Sequence, residues 1–327
     1  MDFLRFFGLK EDPFKLTPDP AFFYPASSHH EGLLLMDYSI DQKEGFLLIT
    51  GEPGTGKTTM LNVFLENWKS RAETAIVLTP RLSPEEFLSA VAEDFDIDIE
   101  NSGKHAVIKA LRNFVAVKSS EGKRVIIIVD EAHNLPDETL EELRLLSNIE
   151  TDKDKLLQIV LAGQPELEAR LRTDSLRQLN QRISSRIVLK NFSQNETYDY
   201  INYRLIMARN KKLLNTKKTG KTLHRLMDRV QSLIKAGSHK WQIHGDTGTA
   251  AYKLTKGIPR LINMLISRAL MAAYLEECST VLPKHVEHAV RSLNHSDMKT
   301  RRWSGLRPIF IGSFSIVLFA GMLYIFF

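Results

Sequence analysis

Only one cysteine, Cys278, stands in 327 residues. An internal disulfide is therefore excluded, and no cysteine motif offers a metal cluster. Cys278 follows the apolar helical stretch Leu270 to Glu277 and reads as a packed thiol rather than a nucleophile. The N-terminus, Met1-Asp-Phe-Leu-Arg5, lacks the basic-then-apolar order of an export signal, so the bulk of the chain is expected in the cytoplasm. There is no internal repeat and no low-complexity segment. What remains is an ordinary globular composition on a chain long enough for two domains, with a modest, unevenly spread net charge of +5.

Two segments carry chemistry. Gly51-Glu52-Pro53-Gly54-Thr55-Gly56-Lys57-Thr58 fits G-x-x-x-x-G-K-[ST] and directly follows the apolar run Gly45–Thr50, which reads as a buried strand. Its glycines let successive backbone N–H groups turn toward phosphates, and the helix that follows adds its positive end. These eight residues and Thr59 are the expected cradle for ATP. Lys57 is placed to reach the β- and γ-phosphates, and Thr58 to ligate Mg²⁺. Downstream, Val125–Val129 is a β-branched run that ends on Asp130 and Glu131. At a strand's carboxyl end Asp130 is expected to hold Mg²⁺, with Glu131 orienting and deprotonating the attacking water.

Ala75–Thr79, Val125–Val129 and Leu156–Ala162 are further strand candidates. Helices are expected over Ser28–Gln42, after the P-loop with Leu61, Phe64, Leu65 and Trp68 on one face, from Ser83-Pro-Glu-Glu, and over Pro136–Ile149 and Glu166–Arg172. Interleaved strands and helices predict an α/β fold, a parallel sheet covered on both faces. From Ser193 onward the pattern is helical: Glu196–Arg209, a helix near Leu223–Lys235, Pro259–Glu277 and Pro283–Leu293. The expected divisions are an aromatic and proline-punctuated segment packing on the core (1–45), a nucleotide-binding domain (46–192), a helical lid (193–293) and a linker (294–307).

Gln164, just past the strand Leu156–Ala162, stands where additional-strand ATPases contact the γ-phosphate or water; a turn residue before Pro165 is the alternative. Arg182 and Arg186 stand just before the last strand, where a neighbouring subunit's nucleotide would receive positive charge; a solvated basic face is the alternative. Gly257-Ile-Pro-Arg260 opens a lid helix and aims Arg260 at the phosphates. Asp130-Glu-Ala-His133 also spells the tetrad of a large helicase group, but the rest of the chain is too short and too helical for a second nucleotide-embracing domain. His133 is either a loop histidine or a relay of the site's state.

The order Phe7-Gly-Leu, Pro13-Phe14, Thr17-Pro-Asp-Pro20, Gly51–Thr58, Asp130-Glu-Ala-His-Asn-Leu135, Leu161-Ala-Gly-Gln-Pro-Glu-Leu167, Gln181-Arg182 and Gly257-Ile-Pro-Arg-Leu-Ile-Asn263 resembles the AAA+ ATPases of the general secretion pathway protein A type, over about Met1 to Leu293. The resemblance implies an AAA+ fold, a homo-oligomer, and a bacterial inner-membrane ATPase. Such a protein supports assembly of secretion or pilus machinery, often beside a membrane partner protein. Members of the secretion type carry a periplasmic peptidoglycan-binding region after the membrane helix. The present sequence reaches Phe327 without one, so wall binding by this polypeptide is not expected.

Pro308 to Phe327 holds twenty residues without a charge. As a helix they would reach about 30 Å, the thickness of a bilayer core. Lys299, Arg301, Arg302 and Arg307 precede them, which predicts a single-pass anchor with the N-terminal part cytoplasmic. Arg209 to Lys240 is a lysine- and arginine-rich stretch with Asp228 as its one acid. It reads as a solvated face, a contact for the anionic leaflet, or a nucleic-acid contact. Thr219-Gly-Lys-Thr222 inside it mimics a P-loop, but position 215 is Asn and no strand precedes it. A DNA-associated ATPase, like the target-selecting ATPases of transposition, is the alternative function.

Overall fold

The computed structural model describes residues 3–78, 81–99, 103–149, 155–210 and 245–297, with Val230, Ser232 and Ile243. Five strands, β1 (Phe46–Gly51), β2 (Ala72–Val77), β3 (Arg124–Val129), β4 (Leu157–Gly163) and β5 (Ile183–Leu189), form one sheet in the order β2-β3-β4-β1-β5. Every pairing is parallel. The expected α/β architecture is present.

Burial explains the strand compositions. β1 and β4 are buried along their whole length, and β3 from Val125 on, hence their unbroken apolar runs. After a short α1 (Phe3–Phe6), Leu47, Ile49, Ile126, Ile128, Val160 and Ala162 of the sheet face helices α2 (Ser27–Asp41) and α3 (Lys57–Trp68). Phe46, Leu48, Ile127, Val129, Ile159 and Leu161 face the other way, toward α4 (Pro84–Asp94), α5 (Lys104–Ser120), α6 (Asp137–Leu146), α7 (Pro165–Leu171) and α8 (Arg177–Arg182). Each fully buried aliphatic side chain contributes about 1.5–3 kcal/mol. β5 is an edge and alternates, with Ser184, Arg186 and Val188 exposed.

β2 departs from expectation. It runs from Ala72 to Val77 rather than from Ala75 to Thr79, and Thr79 lies outside the described residues. The Arg124 N–H donates to Arg71 O at 3.0 Å and Glu73 pairs with Lys123 at 2.6 Å, so the strand extends over charged residues that an edge tolerates. Helix α5 went unread because only Val107, Leu111 and Val115 are buried, one narrow stripe at four-residue spacing. Ser83 and Glu86 form the expected capping box of α4.

A third cluster joins α9 (Gln194–Arg209), α10 (Gly245–Thr255), α11 (Pro259–Leu275) and α12 (Pro283–Asp297). The N-terminal Phe7, Leu9, Phe14, Phe22 and Tyr24 belong to this helical cluster, while Phe23 alone packs with the sheet. α12 runs through the first four residues of the expected linker. The helix near Leu223–Lys235 (apart from Val230 and Ser232), nearly all of the basic stretch, the rest of the linker and the span 308–327 lie outside the described residues. Among the described residues no helix is long and apolar enough to cross a membrane.

The sheet and the helical part are stitched by backbone. Glu196, in the capping box of α9, also accepts from Ser27 N and Oγ at 2.9 and 3.0 Å. Phe192 N donates to Gly257 O at 2.9 Å. Gly257 has φ +74°, and a Cβ there would stand 1.9 Å from Phe192 O. No rotamer relieves a clash with main chain. Gly257→Ala should therefore cost about 2–4 kcal/mol, measured as a lowered urea midpoint; an unchanged midpoint would refute the packing role of this glycine.

Candidate functional site

The P-loop bridges β1 and α3. Gly54 and Gly56 hold φ of +82° and +104°, and Gly56 caps α3, so the loop's amides and the helix N-terminus point into one cavity. Lys57 is only 5% exposed, and its Nζ donates to Gly51 O at 2.7 Å and Glu52 O at 3.2 Å. Burial lowers its pKa, against the opposing pull of Glu131 and Asp130. The ammonium thus rests on loop carbonyls in a site that favours an arriving anion.

β3 delivers the carboxylates. Asp130 is 5% exposed; its Oδ2 accepts from Thr58 Oγ1 at 2.6 Å and its Oδ1 from Glu131 N at 2.9 Å. A hydroxyl and a buried carboxylate in contact form the hard-oxygen pair that suits Mg²⁺ bound with phosphate oxygens, so Thr58 and Asp130 fit the implied ion. Glu131 lies in the left-handed region at φ 52°, rare for a residue with a side chain. That turn brings its carboxylate to the cavity wall instead of continuing the strand.

Gln164 follows β4 directly, and its Nε2 lies 2.9 Å from His133 Nε2. Arg260 enters from α11: its N–H donates to Gly54 O at 3.2 Å, and a Cβ on Gly54 would stand 2.7 Å from Arg260 Cβ. The helical part and the P-loop therefore touch. Arg182 and Arg186 stand elsewhere. Arg182 Nη1 donates to Ser147 Oγ and Asn148 Oδ1, both at 2.7 Å. Arg186 lies within β5 rather than before it, because the strand begins at Ile183; from this exposed position its Nη2 donates to Asn180 Oδ1 at 2.6 Å. Neither lines the cavity.

That cavity, about 200 Å³, is walled by Gly54–Thr59, Glu131 and Arg260, and by residues the sequence reading missed. Lys15 to Asp19 and Phe22 to Tyr24 close it from the N-terminal segment. His29 is buried, its Nε2 2.8 Å from Thr55 O and its ring against Phe23 and Phe192. Arg204 is 5% exposed; it donates to Tyr200 Oη at 2.7 Å and lies over the Phe22 ring at 4.9 Å. Tyr200 in turn donates to Asn263 Oδ1 at 2.7 Å. The four-residue spacing of Tyr200 and Arg204 on one face of α9 was the available signal.

Comparisons with known proteins bear on this geometry. Residues 40–171 match the AAA domain family. General secretion pathway protein A of Aeromonas hydrophila is 38% identical over 266 residues, covering 77% of this chain and 48% of the relative. Residues 40–171 are thus an AAA domain, and over most of its length the chain is related to general secretion pathway protein A. It spans about half the length of that relative. Among solved structures, the Drosophila ORC bound to DNA aligns with a TM-score of 0.60 at 14% identity, covering 93% of this chain and 69% of that one. Cdc6p of Pyrobaculum aerophilum aligns with a TM-score of 0.56 at 15% identity, covering 89% and 71%. At such identities the likeness shows that this AAA+ protein shares their fold.

His29 ties this site to stability. Burial lowers its pKa below the ordinary 6.5, against smaller opposing contributions from Thr55 O and Glu196. The unfolded chain then takes up the proton first, so stability is lost as pH falls through and below the ordinary histidine range. His29→Gln keeps an uncharged donor, and its urea midpoint should fall less than that of the wild type between about pH 7.5 and 5.5. Equal losses in both proteins would mean that His29 does not carry this dependence.

Proposed function

We propose that this AAA+ protein hydrolyses ATP with Mg²⁺ as an oligomer, and that it does so as a single-pass protein of the bacterial inner membrane serving assembly of an envelope machine. The observation that carries the hydrolytic reading is the convergence of Lys57, Thr58 and Glu131 on one cavity wall, with Asp130 directly behind it, 2.6 Å from Thr58 Oγ1. Lys57 exchanges loop carbonyls for phosphate oxygens. Thr58 and Asp130 hold Mg²⁺, which neutralises charge developing on the phosphates. Glu131 orients the attacking water and takes its proton. Gln164 reads the γ-phosphate, and Arg260 couples lid closure to the nucleotide.

Arg182 or Arg186 completes the site of a neighbouring subunit. Arg186, exposed on an edge strand, is better presented than the half-buried Arg182, although each already has acceptors, Asn180 for Arg186 and Arg144 O, Ser147 and Asn148 for Arg182. The membrane and assembly reading is supported by the likeness to general secretion pathway protein A and by the uncharged stretch Pro308 to Phe327 behind four basic residues. The rival, a DNA-associated ATPase, has behind it a fold shared with the Drosophila ORC and the lysine- and arginine-rich stretch Arg209 to Lys240.

Glu131→Gln should keep ATP binding and lower turnover by about a hundredfold or more, measured by phosphate release; wild-type turnover would remove Glu131 from the role of base. Lys57→Ala should abolish binding. An Arg186→Ala or Arg182→Ala protein mixed with the Lys57 variant should regain activity if the arginine acts across subunits, and no recovery at any ratio counts against that. The full chain should sediment with membranes and a chain ending before Pro308 should not. Full-length protein in the soluble pool would favour the rival.

A further inference from the structure

His133 stands between the side chains given the water-activating and phosphate-reading roles. Its Nδ1 lies 3.4 Å from Glu131 Oε2. Its Nε2 lies 2.9 Å from Gln164 Nε2, and the Gln164 backbone N–H points at Nδ1 from 3.4 Å. A neutral imidazole cannot serve all three at once. With the proton on Nδ1, it faces the Glu131 carboxylate while Nε2 accepts from the Gln164 amide. With the proton on Nε2, Gln164 turns its amide to offer Oε1, Nδ1 accepts from the Gln164 backbone, and Glu131 loses its donor. The state of Gln164 therefore sets what His133 can offer Glu131.

The ring is also the fixed member of the three. Its side chain is 13% exposed against 46% for Glu131. Arg170, on the helix that begins just after Gln164, donates from Nη1 to His133 O at 2.7 Å and from Nη2 to Leu135 O at 2.8 Å, and it pairs with Asp137. On the strand side, a Cβ at Gly163 would stand 3.3 Å from His133 N. One strand-helix unit thus carries Gln164 and grips the loop that carries Glu131.

We propose that His133 is a positioning residue that holds Gln164 and Glu131 in a resting pair. A γ-phosphate that draws Gln164 away changes what His133 donates and releases Glu131 to the water. This rests on the reading of the site as an ATP hydrolase. The latch makes γ-phosphate binding work against the His133–Gln164 contact, whereas ADP leaves that contact in place.

The test is equilibrium binding of Mg-ADP and of a non-hydrolysable Mg-ATP analogue to the full chain, for wild type, His133→Ala, Gln164→Ala and the double variant. His133→Ala should tighten the analogue by about three- to tenfold, the worth of one net hydrogen bond, and leave ADP unchanged. In the Gln164→Ala background the same substitution should change neither. His133→Asn, which restores an amide partner for Gln164, should return the discrimination toward wild type, and His133→Leu, which keeps bulk without either ring nitrogen, replaces the alanine variant if that one does not fold. Equal changes for both nucleotides, or the same effect with and without Gln164, overturn the latch alone. Failure of the wild type to bind either nucleotide overturns the hydrolytic reading and the latch with it.

Discussion

The parallel register of β1, β3 and β4 is the constraint on which the rest depends. Ile49 pairs with Ala162 and Val129 with Leu161, so the carboxyl ends of all three strands reach one edge of the sheet together. The P-loop, Asp130 and Gln164 each begin where its strand stops. A one-residue slip of β3 would turn Asp130 to the opposite face and separate it from Thr58. The register is secured by apolar side chains on both faces, since a slip would also exchange which face each of them meets. The polar contacts at the edge are consequences of that packing, not its cause.

Around this edge, the remaining walls come from far along the chain. The N-terminal aromatics and α9 to α11 share one cluster, and that cluster borders the cavity. Arg204 is a buried cation whose contacts among the described residues are a phenol and aromatic rings rather than a carboxylate. A guanidinium tolerates such a setting because its charge is delocalised and weakly hydrated. The site therefore concentrates positive charge from the P-loop, from α9 and from α11 around space fit for polyphosphate.

What was legible in the sequence was what is local. Gly51–Thr58 and Val125–Glu131 each declare a strand followed by its functional turn, because a buried parallel strand must be apolar and the residue after it must be the first polar one. Gln164 followed from the same rule. Long-range partners left no such trace: His29 meets Thr55, Ser27 meets Glu196, and Phe14 joins helices some two hundred residues away. Edges were harder than centres, as β2 shows, because an edge strand mixes charged and apolar residues and its ends blur. For Arg182 and Arg186 the sequence shows two basic residues near the last strand, but not their acceptors, Ser147, Asn148 and Asn180.

Helix α11 links the P-loop to the helical cluster. At its start, Gly257 is pressed against the Phe192 backbone and Arg260 is bonded to Gly54, while its far end carries the exposed Met271 and Leu275. Farther along its 17 residues the same helix is also held: Ala269, Leu270 and Ala273 are buried in the helical cluster, and Tyr274 packs edge-on against Phe3 and Phe6. A displacement at Gly54 would therefore reach the helical cluster and the N-terminal aromatics as one body, because no slack separates them.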